Sequence, residues 1–317
     1  MLGYIVRRLL AAIPIALGVS MVCYALVYLA PGDPVQTLLP PDADAETVAR
    51  LRALYGLDRP IVVQYLDWLV RVASGDFGRS IANGRPVIEE IQRSLGNTVL
   101  LAGLSVLIAF SIAFVLGVTA GRRSGSWIDR LVTGVAVLGV SIPNYWLAIV
   151  LVIIFAVEWG VLPPMGIGPE NSTGWRLDGP HLAHMVLPTI ALSVIPLGVV
   201  TRTVRSTIKE ILNSEFVTPH HAKGLRDDQI LRHVLKNAAP TCLAVMGLQA
   251  GNLIGGSILI ETVFAWPGTG FLLNSAIFRR DLPILQGTTL VLAFFFMMLN
   301  LAVDVVQTMV DPRIKRG

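Results

Sequence analysis

The chain has 317 residues, 54% of them hydrophobic and 15% charged, with mean hydropathy +0.67. Soluble domains carry about 25% charged residues, so the composition excludes an ordinary soluble globule. The net charge of +4 arises from an uneven placement of Lys and Arg around apolar segments and carries no signal for nucleic acid.

Six apolar windows free of Asp, Glu, Lys and Arg follow one another: residues 9–30, 94–121, 131–157, 179–201, 237–260 and 282–303. Each reaches the roughly 20 residues that a helix needs to cross a bilayer, so the chain reads as an all-α, polytopic integral membrane protein with six transmembrane helices. Arg7 and Arg8 precede the first window. They resemble the basic start of a secretory signal, but the apolar stretch is too long and no small-x-small cleavage pattern follows it. Residues 1–30 are thus expected to be a cytoplasmic start and a retained span. Cys23 and Cys242 both fall within spans and read as packing residues rather than a disulfide or a metal pair.

Residues 31–93 form the first long loop. Pro31-Gly-Asp-Pro34 marks a turn. Residues 44–57 then show a helical stripe of Val48, Leu51, Leu54 and Tyr55 that stops at Gly56. A second helix starts near Pro60 and runs through Tyr65, Trp68 and Leu69 to Ser74-Gly75. Gly75-Asp-Phe-Gly78 is a turn, and residues 87–92 lead into the second span. The pattern is expected to form a small helical cap on the outer membrane face, with an amphipathic helix merely resting on lipid as the lesser alternative.

Pro14, Pro143, Pro188 and Pro196 lie inside spans, where each removes a backbone bond and bends its helix by roughly 20° or more. Such bends are tolerated in membrane helices, and they also let spans bow apart around a pathway. The polar residues Asn144, Tyr145, Ser193, Gln249 and Asn252 must face protein or water rather than lipid, which makes them the candidate pathway residues. His181 and His184 stand one turn apart at the start of the fourth span without a third ligand, so no metal site is expected. The chain contains no P-loop, His-Glu-x-x-His or Gly-x-Ser-x-Gly motif. Neither catalysis nor ATP binding by this chain is therefore expected.

Lys and Arg concentrate at residues 7–8, 122–130, 202–236 and 313–316, which places both termini on the cytoplasmic side. Spans two to four occupy residues 94–201, a cytoplasmic segment 202–236, and the last two spans with the tail 237–317. Val204, Ile208, Ile211 and Leu212 extend a helical stripe past the fourth span, which Asn213-Ser214 can end. Residues 215–223 then read as a short helix, with Gly224 in the left-handed position after its last turn. Ala222 leaves room for another surface to approach. The segment Glu215, Phe216, Val217, Thr218, Pro219, His220, His221, Ala222, Lys223, Gly224, Leu225 thus reads as a docking element.

Its Ala-Lys-Gly-Leu at 222–225 is followed by Leu231-Arg-His233, Lys236-Asn-Ala238 and Gly247-Leu-Gln249. This order resembles the coupling motif of ABC-importer permeases, and more narrowly the B-type permease subunit of bacterial dipeptide and oligopeptide importers. Further matches are Arg7-Arg-Leu9, Pro31-Gly-Asp-Pro34, Tyr55-Gly-Leu-Asp-Arg-Pro60, Gln64-Tyr65, Gly75-Asp-Phe-Gly78 with Ser80, Gly255-Gly-Ser257, Glu261-Thr-Val-Phe264, Trp266-Pro-Gly268 with Gly270, Val303-Asp304 and Asp311-Pro-Arg313. They span the whole chain. One departure stands out: where the family usually has Glu-Ala-Ala or Arg-Thr-Ala, this chain has Thr218-Pro219-His220. Proline there is expected to restart the helix with Thr218 as its cap.

The resemblance implies a type I ABC-importer transmembrane architecture in the bacterial cytoplasmic membrane. It implies as partners a second homologous permease, two ABC ATPase subunits that bind ATP and Mg, an extracytoplasmic substrate-binding protein, and membrane lipid. Residues 215–225 would make the mechanical contact with an ATPase. The family carries dipeptides, oligopeptides, glutathione, nickel complexes and some sugars, so a peptide substrate is the leading expectation. A stand-alone secondary transporter would instead show inverted repeats and mid-span ionisable groups, and the sequence displays neither clearly.

Overall fold

The structure, a computed structural model, describes residues 2–29, 44–54, 58–169, 172 and 174–310. The expected turn at 31–34, the Tyr55–Gly56 helix stop and the tail 311–317 lie outside the described residues. Among those described, the regular elements are helices: α1 (Leu2–Leu29), α2 (Ala45–Leu54), α3 (Ile61–Ala73), α4 (Val87–Arg122), α5 (Trp127–Ser141), α6 (Asn144–Leu151), α7 (Gly179–Leu212), α8 (Thr218–Ala222), α9 (Asp227–Val263), α10 (Thr269–Arg279) and α11 (Leu282–Val310). A π-helical run, Val152–Glu158, continues α6, and one isolated antiparallel bridge pairs Arg79 with Pro86. The helices α4, α7, α9 and α11 are each long and apolar enough to cross a membrane. The sequence predicts six spans. Beside these four, α1 has a span's length and α5 with α6 makes a bent pair.

The chain divides into two compact units. The first holds residues 1–98 and 267–297. Its centre is the turn between α10 and α11, where the buried Asp281 carboxylate accepts the Ser80 hydroxyl and the backbone N–H groups of Ile81 and Ala82, both at 3.2 Å. That one side chain ties the Gly75–Ser80 turn to α11. Around it Val87, Ile91, Ala276 and Ile284 form an apolar cluster joined by Phe77 and Leu272. Thr98 accepts the Thr269 N–H at 2.8 Å, and the Asn97 amide donates to the Pro267 carbonyl at 2.9 Å. The helix α10 is absent from the sequence expectation because its 11 residues are too few for a span and lie between two of them.

The second unit, residues 99–266 and 298–317, is arranged around α7. Its N-terminus is capped by Asp178, whose carboxylate accepts the His181 N–H at 2.9 Å. The His181 backbone and ring N–H groups hold the Asp178 carboxyl below its ordinary range. Helix α4 runs parallel to α7. Ser105 and Ser193 meet at one level (3.4 Å from Ser193 Oγ to the Ser105 carbonyl), while a Cβ on Gly117 would lie 2.7 Å from the Val204 Cβ and one on Gly121 2.9 Å from the Ile208 Cβ. Close approach of this kind needs small residues, as is usual between membrane helices. Helix α9 runs antiparallel. Its early residues Ile230, Val234, Ala238 and Cys242 pack with Val204 and Ile208, and its late residues Leu253, Ile260 and Phe264 with Leu187 and Leu192. Cys242 is therefore a core residue.

The third expected span, 131–157, is not one kinked helix. Its two halves diverge by 97°. Ile142 is extended (φ −89°, ψ 123°), as the residue before proline prefers, and Pro143 is also extended (ψ 131°), so the helix stops and restarts rather than bending. The pair nevertheless runs along α7 from end to end. At one end Asp129 pairs with Arg205; midway the Ala136 carbonyl lies against Gly198; beyond the break Ala148, Phe155 and Leu162 pack with Met185 and Leu187. From residue 205 to 185 of α7 is about 30 Å at 1.5 Å per residue, the thickness of a hydrocarbon core. The pair is one broken crossing, not a re-entrant hairpin.

Within the segment 202–236, α7 continues to Leu212 and ends at Asn213 as the apolar stripe predicts, while α9 begins at Asp227. Pro188, Pro196 and Pro240 lie inside continuous helices.

Three substitutions test this packing. Asp129 is nearly buried and takes two guanidinium contacts from Arg205, one at 2.8 Å, plus the Gly125 N–H at 2.9 Å. Asp129→Ala strands a partly buried guanidinium and lowers stability by about 2–4 kcal/mol. The double variant with Arg205→Ala loses less than the sum of the single changes in a detergent unfolding series. Gly117→Leu, which forces α4 off α7, costs about 1–3 kcal/mol in the same assay.

Candidate functional site

The segment between α7 and α9 is built by successive terminations. Asn213 ends α7 with its N–H on the Lys209 carbonyl (3.1 Å), and the Ser214 hydroxyl takes the Ile211 carbonyl at 2.7 Å. A turn bonded from Val217 N–H to Ser214 O (3.2 Å) leads into α8. The sequence predicts a helix over 215–223, restarted by Pro219 with Thr218 as the cap of the restart. Instead it covers Thr218–Ala222, and Val217 occupies the cap position without a side-chain bond. Pro219, which has no N–H to give, stands in the first turn where none is required.

The C-terminal end of α8 follows the sequence expectation. Gly224 has φ +72°, a left-handed geometry that glycine enters without steric cost. The Leu225 N–H reaches the His220 carbonyl at 3.2 Å and the Gly224 N–H the His221 carbonyl at 2.9 Å. These paired bonds close a five-residue helix that is too short to persist on its own. After it, the Gln229 side chain accepts the Arg226 N–H at 3.0 Å, and Asp227 and Asp228 sit in the favoured first turn of α9.

What holds this segment in place is one residue. Val217 is buried among Val204, Ile208, Ile230 and Val234, at the joined ends of α7 and α9, with Leu212 and Leu225 against the same cluster. His220 is half-buried. Its Nδ1 lies 2.8 Å from the Phe216 carbonyl, and its ring centroid stands 4.8 Å from those of both Phe216 and His233. Glu215, Phe216, Thr218, Pro219, His221, Ala222, Lys223 and Gly224 are exposed. The arrangement is a short knob, gripped from beneath by a valine and presenting a mixed polar and apolar face. The contact of His220 with His233, a residue of the Leu231-Arg-His233 match, and the anchoring role of Val217 were not legible in the sequence pattern, since both depend on α9 folding back along α7.

The candidate pathway residues fall into two groups. Ser193 is buried, with its hydroxyl 2.5 Å from the Thr189 carbonyl and 3.4 Å from that of Ser105, which accounts for its polarity within the α4–α7 contact. Asn144 and Tyr145 open α6 at the break. The Asn144 side chain accepts the Tyr145 N–H at 2.9 Å, and its amide nitrogen faces Gly256 of α9. Asn252, one turn before Gly256, donates to Gln249 at 3.2 Å. Asn252 belongs to an exposed stripe of α9 that also contains Thr241, Ala244, Leu248, Gly255 and Leu259. Three of the five polar residues thus converge on the α6–α9 contact. Among the described residues there is no cluster of three metal-ligating side chains.

Similarity to known proteins extends over the whole chain. Residues 113–316 match the family described as binding-protein-dependent transport system inner membrane component, and residues 1–102 match the N-terminal family of such membrane components. The dipeptide transport system permease protein DppB of Alkalihalophilus pseudofirmus is 37% identical over 99% of this chain and 100% of its own length. The oligopeptide transport system permease protein AppB of Bacillus subtilis is 35% identical over 99% and 100%, and the glutathione transport system permease protein GsiC of Salmonella typhimurium 36% over 99% and 99%. A chain of the MetNI methionine ABC transporter in an inward-facing conformation superposes with TM-score 0.54 at 17% identity, covering 70% of this chain and 96% of that one. The fold is therefore that of an ABC-importer permease, and the chain belongs to the family of inner membrane components of binding-protein-dependent transport systems.

Proposed function

We propose that this permease chain forms half of the translocation pathway of an ATP-driven importer of dipeptides and oligopeptides. The observation that carries the coupling role is the knob at 215–225, because an exposed five-residue helix fixed through Val217 to the ends of α7 and α9 suits transmission of a push into both helices. Two cytoplasmic ATPase subunits, holding ATP and Mg, supply that push, and this chain itself binds neither. Both termini lie in the cytoplasm of a bacterial inner membrane, consistent with the distribution of Lys and Arg. A second, similar permease faces the exposed stripe of α9, so that Asn144, Gln249 and Asn252 border the pathway between the two chains. An extracytoplasmic binding protein delivers the substrate.

The choice of peptide rests on the relatives named for dipeptide and oligopeptide transport. The glutathione relative is as similar, and glutathione is itself a short peptide, so the substrate class is small peptides with free carboxylates.

In proteoliposomes holding the chain with its co-purified partners, replacing residues 215–224 by a flexible Gly-Ser linker abolishes ATP-dependent uptake of labelled dipeptide while the proteins still co-reside in the membrane. Persistent uptake overturns the coupling role. Val217→Ala removes about 1–3 kcal/mol of packing beneath the knob and lowers uptake per ATP hydrolysed. Excess unlabelled glutathione reduces dipeptide uptake if the two share the pathway. Dipeptide uptake that is unchanged on deleting this chain overturns the peptide assignment.

A further inference from the structure

Helix α3 is folded with its polar and aromatic side inward. Gln64 and Trp68 are buried and Tyr65 half-buried, while Val62, Leu66 and Val70 are 68%, 52% and 70% exposed, with Ile61 and Val63 beside them. Residues 62, 66 and 70 repeat every four positions and so form one stripe. Asp67 and Arg71 lie toward a cavity of about 820 Å³ that Arg59, Gln64, Trp68 and Gln286 also help to line, and Val70, next to them on the helix, stands at its rim. Asp67 pairs with Arg59 at 2.8 Å on that side. Val62 and Leu66 lie away from that cavity, with Val70 at the border between the two.

The contacts of α3 give the depth at which this stripe sits. Its buried side meets α1: the Ser20 and Tyr65 hydroxyls are 2.9 Å apart, the Tyr24 hydroxyl lies 3.3 Å from Gln64 Oε1, and Tyr24 stacks near Tyr65 and Trp68. Ser20 and Tyr24 are not at the end of α1. They precede Leu29 by nine and five residues, or about 14 and 8 Å along the helix. Apolar residues of the same stretch of α1, Met21 and Val22, are 60% and 57% exposed. A helix gripped at that level lies below the end of the apolar window 9–30. Helices bound in the membrane interface sit about 5–10 Å into the boundary between headgroups and acyl chains, a range that holds the Tyr24 contact and is overrun by the Ser20 contact.

We infer that α3 is a lipid-embedded interfacial helix: Val62, Leu66 and Val70 contact the acyl chains of the leaflet at the Leu29 end of α1, continuing α1's own lipid-facing surface, while Asp67 and Arg71 face the cavity on its protein side. The occupant of the stripe is lipid, because the stripe carries no charge and no polar group and its helix is held against the stretch of α1 in which Met21 and Val22 are exposed. In effect α3 walls a polar cavity off from the bilayer. The inference does not depend on the substrate or on which side of the membrane that leaflet lies.

The test uses the full-length chain in phospholipid nanodiscs, where both membrane faces are open to reagents. In a Cys23→Ser, Cys242→Ala background, single cysteines at Val62, Leu66, Val70, Asp67 and Arg71 are spin-labelled. Their collision rates with oxygen and with a water-soluble nickel chelate are then measured. The ratio of oxygen to nickel accessibility at 62, 66 and 70 should exceed that at 67 and 71 by about fivefold or more, as for a helix lying in the interface. Nickel accessibility that is equal at all five sites overturns the inference in favour of a helix in water. Low access to both reagents at 62, 66 and 70 overturns it in favour of a face covered by protein. Each variant is checked for an unchanged unfolding midpoint, which exposed positions permit.

Discussion

Within the second unit the arrangement depends on how closely other helices can approach α7. In an apolar solvent there is no hydrophobic gain from bringing two apolar helices together, so association relies on tight packing and on polar groups satisfied between helices. Helix α7 meets both conditions. Gly117 and Gly121 of α4 and Gly198 of α7 itself remove the side chains that would hold neighbours off, and Ser193 and Ser105 spend their hydroxyls on carbonyls in the same contact. The Asp129–Arg205 pair then pins the start of α5 to α7, with α4's last turns packed at the same level. Three helices in fixed register on a fourth give a body that can move as one.

The break at Ile142–Pro143 follows from local chemistry but has a tertiary consequence. A residue before proline avoids helical geometry, and a membrane can accept the lost hydrogen bonds only where protein or water replaces them. Here the restarted helix carries Asn144 to Gly256 of α9, close to the Asn252–Gln249 pair. Irregular backbone and amide side chains therefore gather at one place along the unit, which is where a pathway for polar solutes is built most readily. The π-helical continuation of α6 keeps Phe155 and Leu162 against α7, so the crossing is completed despite the bend.

The knob at 215–225 and helix α3 illustrate opposite uses of a short amphipathic element. The knob buries one valine and leaves a varied face free, which suits a protein groove that must grip and release. Helix α3 buries Gln64 and Trp68 and turns an aliphatic stripe outward, which suits acyl chains that offer no partners at all. In the first unit Asp281 performs the matching structural task. A single carboxylate receives three donors from the Ser80–Ala82 turn and so holds an otherwise irregular stretch against α11.

Membrane residence, the helical character of the long apolar windows, the left-handed glycine after α8 and the family were legible in the residues themselves. They depend on length, charge exclusion and local backbone preference, which act within a few residues. The short helix α8 begins at Thr218 rather than at Glu215, because residues 215–217 are spent on the turn that buries Val217, and Pro219 suits the first turn and costs nothing there. The size of the break at Pro143 was underestimated, since proline alone implies a bend and not the 97° that two consecutive extended residues produce. Only the tertiary structure decided that Ser193 belongs to a helix contact, that Asp129 meets Arg205, that Val217 anchors the knob, and that α3 shows its apolar side outward. Each of these joins residues on different helices. Helical periodicity identifies which residues share a face, but the register and approach of a second helix decide whether that face meets protein, water or lipid.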